Sequence, residues 1–315
     1  MERRRQWITT HEWMVKPTAQ TEWVDGQGLL IWLAEVFSAL GMGLYLVALF
    51  YNNWWGQLAG WFIIVGLKLP FHFFYLGRPW RFWRAIPPFT SAWKTSWLAR
   101  GMFFTLMYSA FALVQLITTY QLEHNLVAAS SVGLVTAIDW VMRFLAGLFM
   151  LLTGIYCGFA MSYCKSIPFW NTGMLPIVFV IMGLADGLGL IMGVGLITGG
   201  VDFHAIESAS RIFLLVNALL ISTYLINASY QSKTGEYSVK ELLVGKSALV
   251  FWVGVIVLGI VAPMAISVIS LYAGELSPPL LVLAVLSHTI GAFSLKYCVL
   301  KVGIYRPVLS KLPTF

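Results

Sequence analysis

Eight stretches of this chain are each long and apolar enough to cross a bilayer, and no other feature narrows the fold as far. A hydrocarbon core about 30 Å thick takes about 20 apolar helical residues. The stretches run over residues 27–51, 57–76, 97–120, 132–163, 172–198, 209–230, 246–272 and 278–301. Backbone polar groups in lipid must find partners within the segment, which leaves helices for runs of this length. Charge supports the reading, since 10% of the residues are charged against about 25% in a soluble domain. The expected fold is all-α, a polytopic bundle of eight transmembrane helices. Residues 27–302 form its membrane domain, between an N-terminal tail (1–26) and a C-terminal tail (303–315). The first residues, MERRRQWITTHEW, are polar and contain no apolar core of a secretory leader. The three cysteines, Cys157, Cys164 and Cys298, make no paired framework. They are too few for an iron–sulfur cluster held by this chain alone, which usually needs four thiolates.

Basic residues set the orientation. Seventeen of the twenty lie in the N-terminal tail, the loops after spans two, four and six, and the C-terminal segment, counting Lys296, Lys301, Arg306 and Lys311 in the last. These segments alternate onto one side. The opposite connections carry Glu123, Asp202, Glu207 and Glu275. By the positive-inside rule both termini are expected in the cytoplasm, and the protein in a bacterial or archaeal cytoplasmic membrane. The net charge of +7 is then a topological signal with lipid as its partner, and nucleic acid is not expected.

The loop after span two, PFHFFYLGRPWRFWRAIPPFTSAWKTSWLARG, is basic, aromatic and free of acids. Pro79, Pro87 and Pro88 prevent one continuous helix. Indole beside cation is the composition of a membrane–water interface. It is also that of a docking surface, for which Arg78, Arg81, Trp83, Arg84, Lys94 and Arg100 are the candidates.

Ionisable residues inside spans are functional candidates by default, because a charge in hydrocarbon costs a few kcal/mol. With a rise of about 1.5 Å per residue, Glu35, His72 and Tyr156 come to one depth just beneath the basic loop. Together they offer the hydrogen bonds and proton exchange that a quinone head needs. Neutral hydrogen bonding between helices explains the same residues structurally. Lys68, Asp186 and His288 fall nearer the middle. Asp139 and Arg143, one turn apart, lie toward the outer face. These five make either a proton route or buried structural pairs. A b-type haem is not expected, because His72 and His288, the histidines within spans, differ in depth by roughly 10 Å.

Two blocks of the sequence resemble a known family. LGRPWRFW followed by PFTS and a closing RG, and TGIYCGFAMSYCKSIPFWNTGMLPIVF, are similar to signatures of the NrfD/PsrC family, with GMGLYLVAL in span one as a weaker third block. The resemblance implies an eight-helix membrane subunit that binds menaquinone or ubiquinone without haem. It implies a partner iron–sulfur subunit of the four-cluster ferredoxin type. It also implies a catalytic subunit with molybdenum bis-pterin, so that clusters and molybdenum reside in the partners. The family's tyrosine late in span four matches Tyr156. Its polar residue early in span one falls close to Glu35, where polysulfide reductase uses histidine. With a cytoplasmic partner, the chemistry implied is that of a sulfur compound such as sulfite, sulfur or polysulfide. A secondary transporter with broken helices and a structural anchor without a quinone site are the alternatives.

Overall fold

The computed structural model describes residues 16–88, 90–274 and 277–308. Arg3, Arg4, Arg5, Glu275 and Lys311, which entered the charge argument, lie outside the described residues. Among the described residues, eight helices are long and apolar enough to cross a membrane: α1 (Gly28–Phe50), α2 (Trp54–Tyr75), α3 (Trp97–Glu123), α4 (Ala129–Ser162), α5 (Met174–Thr198), α6 (Phe203–Gln231), α8 (Val250–Ala273) and α9 (Pro278–Lys301). A ninth, the amphipathic α7 (Lys233–Val244), fills the loop after span six. The Ser232 hydroxyl caps it by accepting from the Gly235 N–H.

Most boundaries match the hydropathy pattern, and the exception is informative. Span six begins at Phe203, about two turns before the apolar run, because the Asp202 carboxylate accepts from the Ala205 N–H at 3.1 Å and caps the helix. Glu207, expected in an opposite connection, is therefore a helical residue within α6, one turn before Arg211.

The helices form two groups, α1–α4 and α5–α9, joined mainly where α1 crosses α5, with further packing of α4 on α5 and α9 on α1. These two have the most buried helical surface. The crossing depends on glycine: a side chain on Gly43 would overlap the Gly183 carbonyl, and one on Gly187 would overlap Gly43. Without a hydrophobic force between helices in lipid, such close backbone approach supplies the packing energy. Aromatic and aliphatic side chains fill the remaining core, with Trp170, Phe169, Tyr224 and Phe179 all fully buried.

Two spans are not regular α-helices. In α2, residues Ile63–Lys68 are π-helical between α-helical Trp54–Phe62 and Leu69–Tyr75. In α8, Val250–Val261 are π-helical before Ala262–Ala273. Each π segment ends just before a proline, Pro70 or Pro263. Proline has no N–H to return to the carbonyl four residues earlier, so the ladder shifts there.

The described parts of the tails are tied together. Strand β1 (Thr18–Ala19) pairs antiparallel with β2 (Ile304–Tyr305), Thr18 opposite Tyr305. The Gln20 N–H donates to Gly303 O at 2.9 Å, and Lys301 meets Asp25 at 2.7 Å. The two tails thus lie on one face of the bundle. Trp170 on the same face donates its indole N–H to Val299 O at 2.7 Å.

Candidate functional site

Beneath the loop between α2 and α3, polar side chains from several helices converge in a buried interior. Lys68 ends the π segment of α2 and is fully buried. Its ammonium donates to Thr105 Oγ1 on α3 at 2.6 Å and stands 5.1 Å from the centre of the Tyr156 ring on α4. The Thr105 hydroxyl donates in turn to Gly101 O at 2.8 Å. Tyr156 is buried against Gly101, where any side chain would collide with the phenol ring. His72 follows Lys68 by one turn, on the same helix face. It is buried, and neither ring nitrogen has a hydrogen-bond partner.

Glu35 on α1 is buried, with Oε2 lacking a hydrogen bond. It lies within electrostatic range of Lys68, Tyr156 and Cys157. Its nearest cation is Lys296 on α9, whose Nζ is 3.7 Å from Glu35 Oε2 and 3.2 Å from the centre of the Phe179 ring. The carboxylate and the aromatic face thus share one buried ammonium.

The sequence-derived groups are rearranged by these contacts. Glu35, His72 and Tyr156 each lie within range of Lys68. Lys68 belongs with them, not with the mid-span set. Lys296, counted among the cytoplasmic charges, is inside the membrane domain and buried. Removing it from the loop total leaves the charge asymmetry in the same direction. A signal for this was present in the sequence, since Lys296 follows His288 by eight residues and shares its helix face.

Asp186 on α5 and His288 on α9 do meet: Oδ1 and Nε2 are 3.2 Å apart. Asp139 and Arg143 instead complete a network among the α1–α2 turn, α3 and α4. Asp139 Oδ1 accepts from Thr118 and Thr119 at 2.8 and 2.6 Å. Arg143 Nε reaches Asp139 Oδ2 at 2.7 Å, and its other nitrogens donate to Asn52 and Thr119. The polar side chains Gln57, Gln115 and Tyr45 bond to one another next to it. With every partner supplied inside the network, this pair has the geometry of a structural ion pair.

The basic loop divides into two kinds of residue. Arg100 is used internally: it donates to the Trp93 and Lys94 carbonyls at 2.9 and 2.6 Å and stacks on Trp97 at 4.6 Å. Arg78, Arg81, Trp83, Arg84 and Lys94 are exposed along the 3₁₀ turn Pro79–Ala85 and the one-turn helix Ser91–Thr95. Trp80 beside them is 82% exposed. Below the loop, an apolar cleft of about 360 Å³ opens between α2 and α3, lined by Leu69, Pro70, Phe73, Phe82, Met102 and Leu106 among others. It abuts the buried Lys68–His72 and Gly101–Thr105 turns.

Three curated relatives are similar to this chain. The "Protein NrfD homolog" of Haemophilus influenzae is 23% identical over 258 residues, 76% of this chain and 78% of the relative. The polysulfide reductase C subunit of Wolinella succinogenes is 27% identical over 156 residues, 48% of this chain and 49% of the relative. "Protein NrfD" of Escherichia coli is 24% identical over 220 residues, 64% of this chain and 67% of the relative. The family model described as polysulphide reductase, NrfD, matches residues 31–307, from within α1 to just past β2. This chain, a multi-pass protein of the bacterial inner membrane, therefore belongs to the polysulphide reductase NrfD family.

Proposed function

We propose that this subunit anchors a redox complex and exchanges electrons between the membrane quinone pool and an iron–sulfur partner on its cytoplasmic face. The observation that carries the reading is the buried cluster of Glu35, Lys68, His72 and Tyr156. Within it, among the described residues, Glu35 Oε2 and both His72 nitrogens lack hydrogen-bond partners, while Glu35 Oε2 is ion-paired with Lys296. Buried polar atoms are rarely left unpaired. A quinone head offers two carbonyl acceptors in the oxidised form and two hydroxyls in the reduced form, and the residues present fit it. The α2/α3 cleft suits an isoprenoid tail. Family membership favours this reading over a secondary transporter.

The bound quinone, menaquinone or ubiquinone, takes or gives two electrons and two protons. The chain's own residues orient the head and move the protons. Lys68, fixed by Thr105, and Tyr156 present donors from two helices. His72 and Glu35 are the groups that hold a proton at the cytoplasmic end. Exchange there transfers no net charge across the membrane. The exposed Arg78, Arg81, Trp83, Arg84 and Lys94 receive an acidic face of the iron–sulfur subunit, which in turn contacts a molybdopterin catalytic subunit. Arg100 holds the loop in shape. Kinship with a polysulfide reductase subunit and a cytoplasmic partner favour a sulfur compound as terminal substrate. The positive-inside asymmetry and the pairing of the two tails support cytoplasmic termini.

The test is quinone-linked turnover of the whole complex carrying Tyr156→Phe, Glu35→Gln or His72→Ala, each checked for assembly. Loss of quinone activity with retained artificial-dye activity supports the site. Full quinone activity in all three rejects it.

A further inference from the structure

The middle of the second helix group contains a polar cluster that the quinone reading does not use. His288 Nδ1 is 2.6 Å from the carbonyl of Gly259 on α8. That carbonyl lies four residues before Pro263, which has no N–H to offer it. The backbones of Gly259 and Gly291 are in contact, so a side chain on Gly291 would overlap Gly259. This crossing holds His288, one turn before Gly291, against the carbonyl. A carbonyl only accepts, so Nδ1 carries a hydrogen.

The other ring nitrogen then decides the matter. Nε2 lies 3.2 Å from Asp186 Oδ1. In a neutral ring with hydrogen on Nδ1, Nε2 is an acceptor, as is each oxygen of an ionised carboxylate. Two lone pairs facing each other at this distance repel. Neither Asp186 oxygen has another hydrogen-bond partner among the described residues, and Asp186 is buried. Lys296 is a charged group within electrostatic range of Asp186, and it is held at Glu35 and Phe179.

His288 also faces a small cavity, with about 30 Å³ open to a water-sized sphere. Glu207, Ser210, Ser267 and Ala284 line it among apolar neighbours. That volume and those groups suffice for a water. On its far side Glu207 is paired with Arg211 at 3.3 Å and accepts from Ser267 at 2.9 Å. Glu207 lies one turn from the Asp202 cap that begins α6.

We propose that Asp186 and His288 hold one shared proton, and that the pair exchanges it through this cavity with the face where α6 begins. The proton is either on the Asp186 carboxyl, donated to Nε2, or on Nε2, donated to the carboxylate. Both arrangements leave the pair neutral overall. Exchange moves that proton to water in the cavity and on past Glu207, and the same path returns it. The proposal stands independently of the quinone site.

The experiment uses the full native chain in lipid nanodiscs. Infrared spectra with ¹³C-aspartate report whether Asp186 is a neutral carboxyl, with Asp186→Asn assigning the band. Solid-state NMR with ¹⁵N-histidine reports the state of both His288 nitrogens in the unsubstituted chain, so the reading survives if the variant fails to fold. Either a neutral carboxyl facing a neutral ring, or an imidazolium facing a carboxylate, is expected. A carboxylate facing a neutral ring overturns the shared proton. For the route, Ala284→Leu narrows the cavity and should slow hydrogen–deuterium exchange of the shared proton severalfold, while Tyr156→Phe should not. Exchange unchanged by Ala284→Leu, or slowed by Tyr156→Phe instead, overturns the opening toward α6.

Discussion

Replacing Lys296 with methionine should destabilise the membrane domain by a few kcal/mol, and most of that loss should depend on Glu35. The charged atoms are 3.7 Å apart, which at an effective dielectric near 20 corresponds to about 4.5 kcal/mol of attraction. Removing one partner of a buried pair typically costs about 3–5 kcal/mol, because the survivor is left desolvated and alone. Methionine keeps the length of the side chain and a favourable sulfur contact with Phe179, so lost packing contributes little. Reversible unfolding in mixed micelles would compare the parent, Lys296→Met, Glu35→Gln and the double variant. The coupling in this cycle should be about 1.5–3 kcal/mol, with the double variant much less damaged than the two losses added together. Additivity within about 0.5 kcal/mol would refute the pairing. The ammonium would then be held by Phe179 and the field of Asp186, and Glu35 would be satisfied by other groups.

Other substitutions test separate parts of the structure. Asp139→Asn should cost about 3 kcal/mol, because Arg143 loses its buried counter-charge, while quinone turnover per assembled complex stays at the parent level; a fall in turnover would return this pair to the proton pathway. Gly187→Leu should prevent the α1–α5 approach and cost at least about 1–3 kcal/mol by overpacking, visible as a lower unfolding midpoint. Cys164, outside the spans and half-buried, has its thiol pushed above the ordinary range by burial. Less thiolate is present at neutral pH, so alkylation by a water-soluble maleimide should be slow there and accelerate as pH rises above about 8.5; fast labelling at pH 7 would contradict this. Charge reversal at Arg81 together with Arg84 should release the iron–sulfur partner while leaving the purified subunit's stability unchanged.

The spans were legible because each must satisfy its backbone within lipid, and hydropathy reports that constraint directly. The cluster at Glu35, His72 and Tyr156 was legible for a related reason: rise per residue converts position in a span into depth. The errors share a cause as well. Lys296 and the Glu207–Arg211 pair lie near the ends of apolar runs, where hydropathy cannot separate a loop charge from an intramembrane one. Only the Asp202 cap and the spacing from His288 to Lys296 carried that information. The π segments were hidden because a uniformly apolar stretch has no polar face to show its period. Pro70 and Pro263 marked the places without giving the geometry. Partner choice, as between Asp139 and Asp186, depends on lateral packing, which depth does not encode.

The pairing of β1 with β2 has a consequence for how the protein is made. Gln20 bonds to the carbonyl of Leu300, 280 residues further along the sequence. A nascent chain with seven helices already inserted still lacks the partner of its first strand. The tail around Thr18 and the indole of Trp170 wait for residues near Val299 to leave the ribosome. The bundle face that carries the tails thus closes only after the eighth span has been translated. A subunit that recognises this face would bind only chains whose eighth span is in place, which makes assembly of a complex contingent on synthesis of that span.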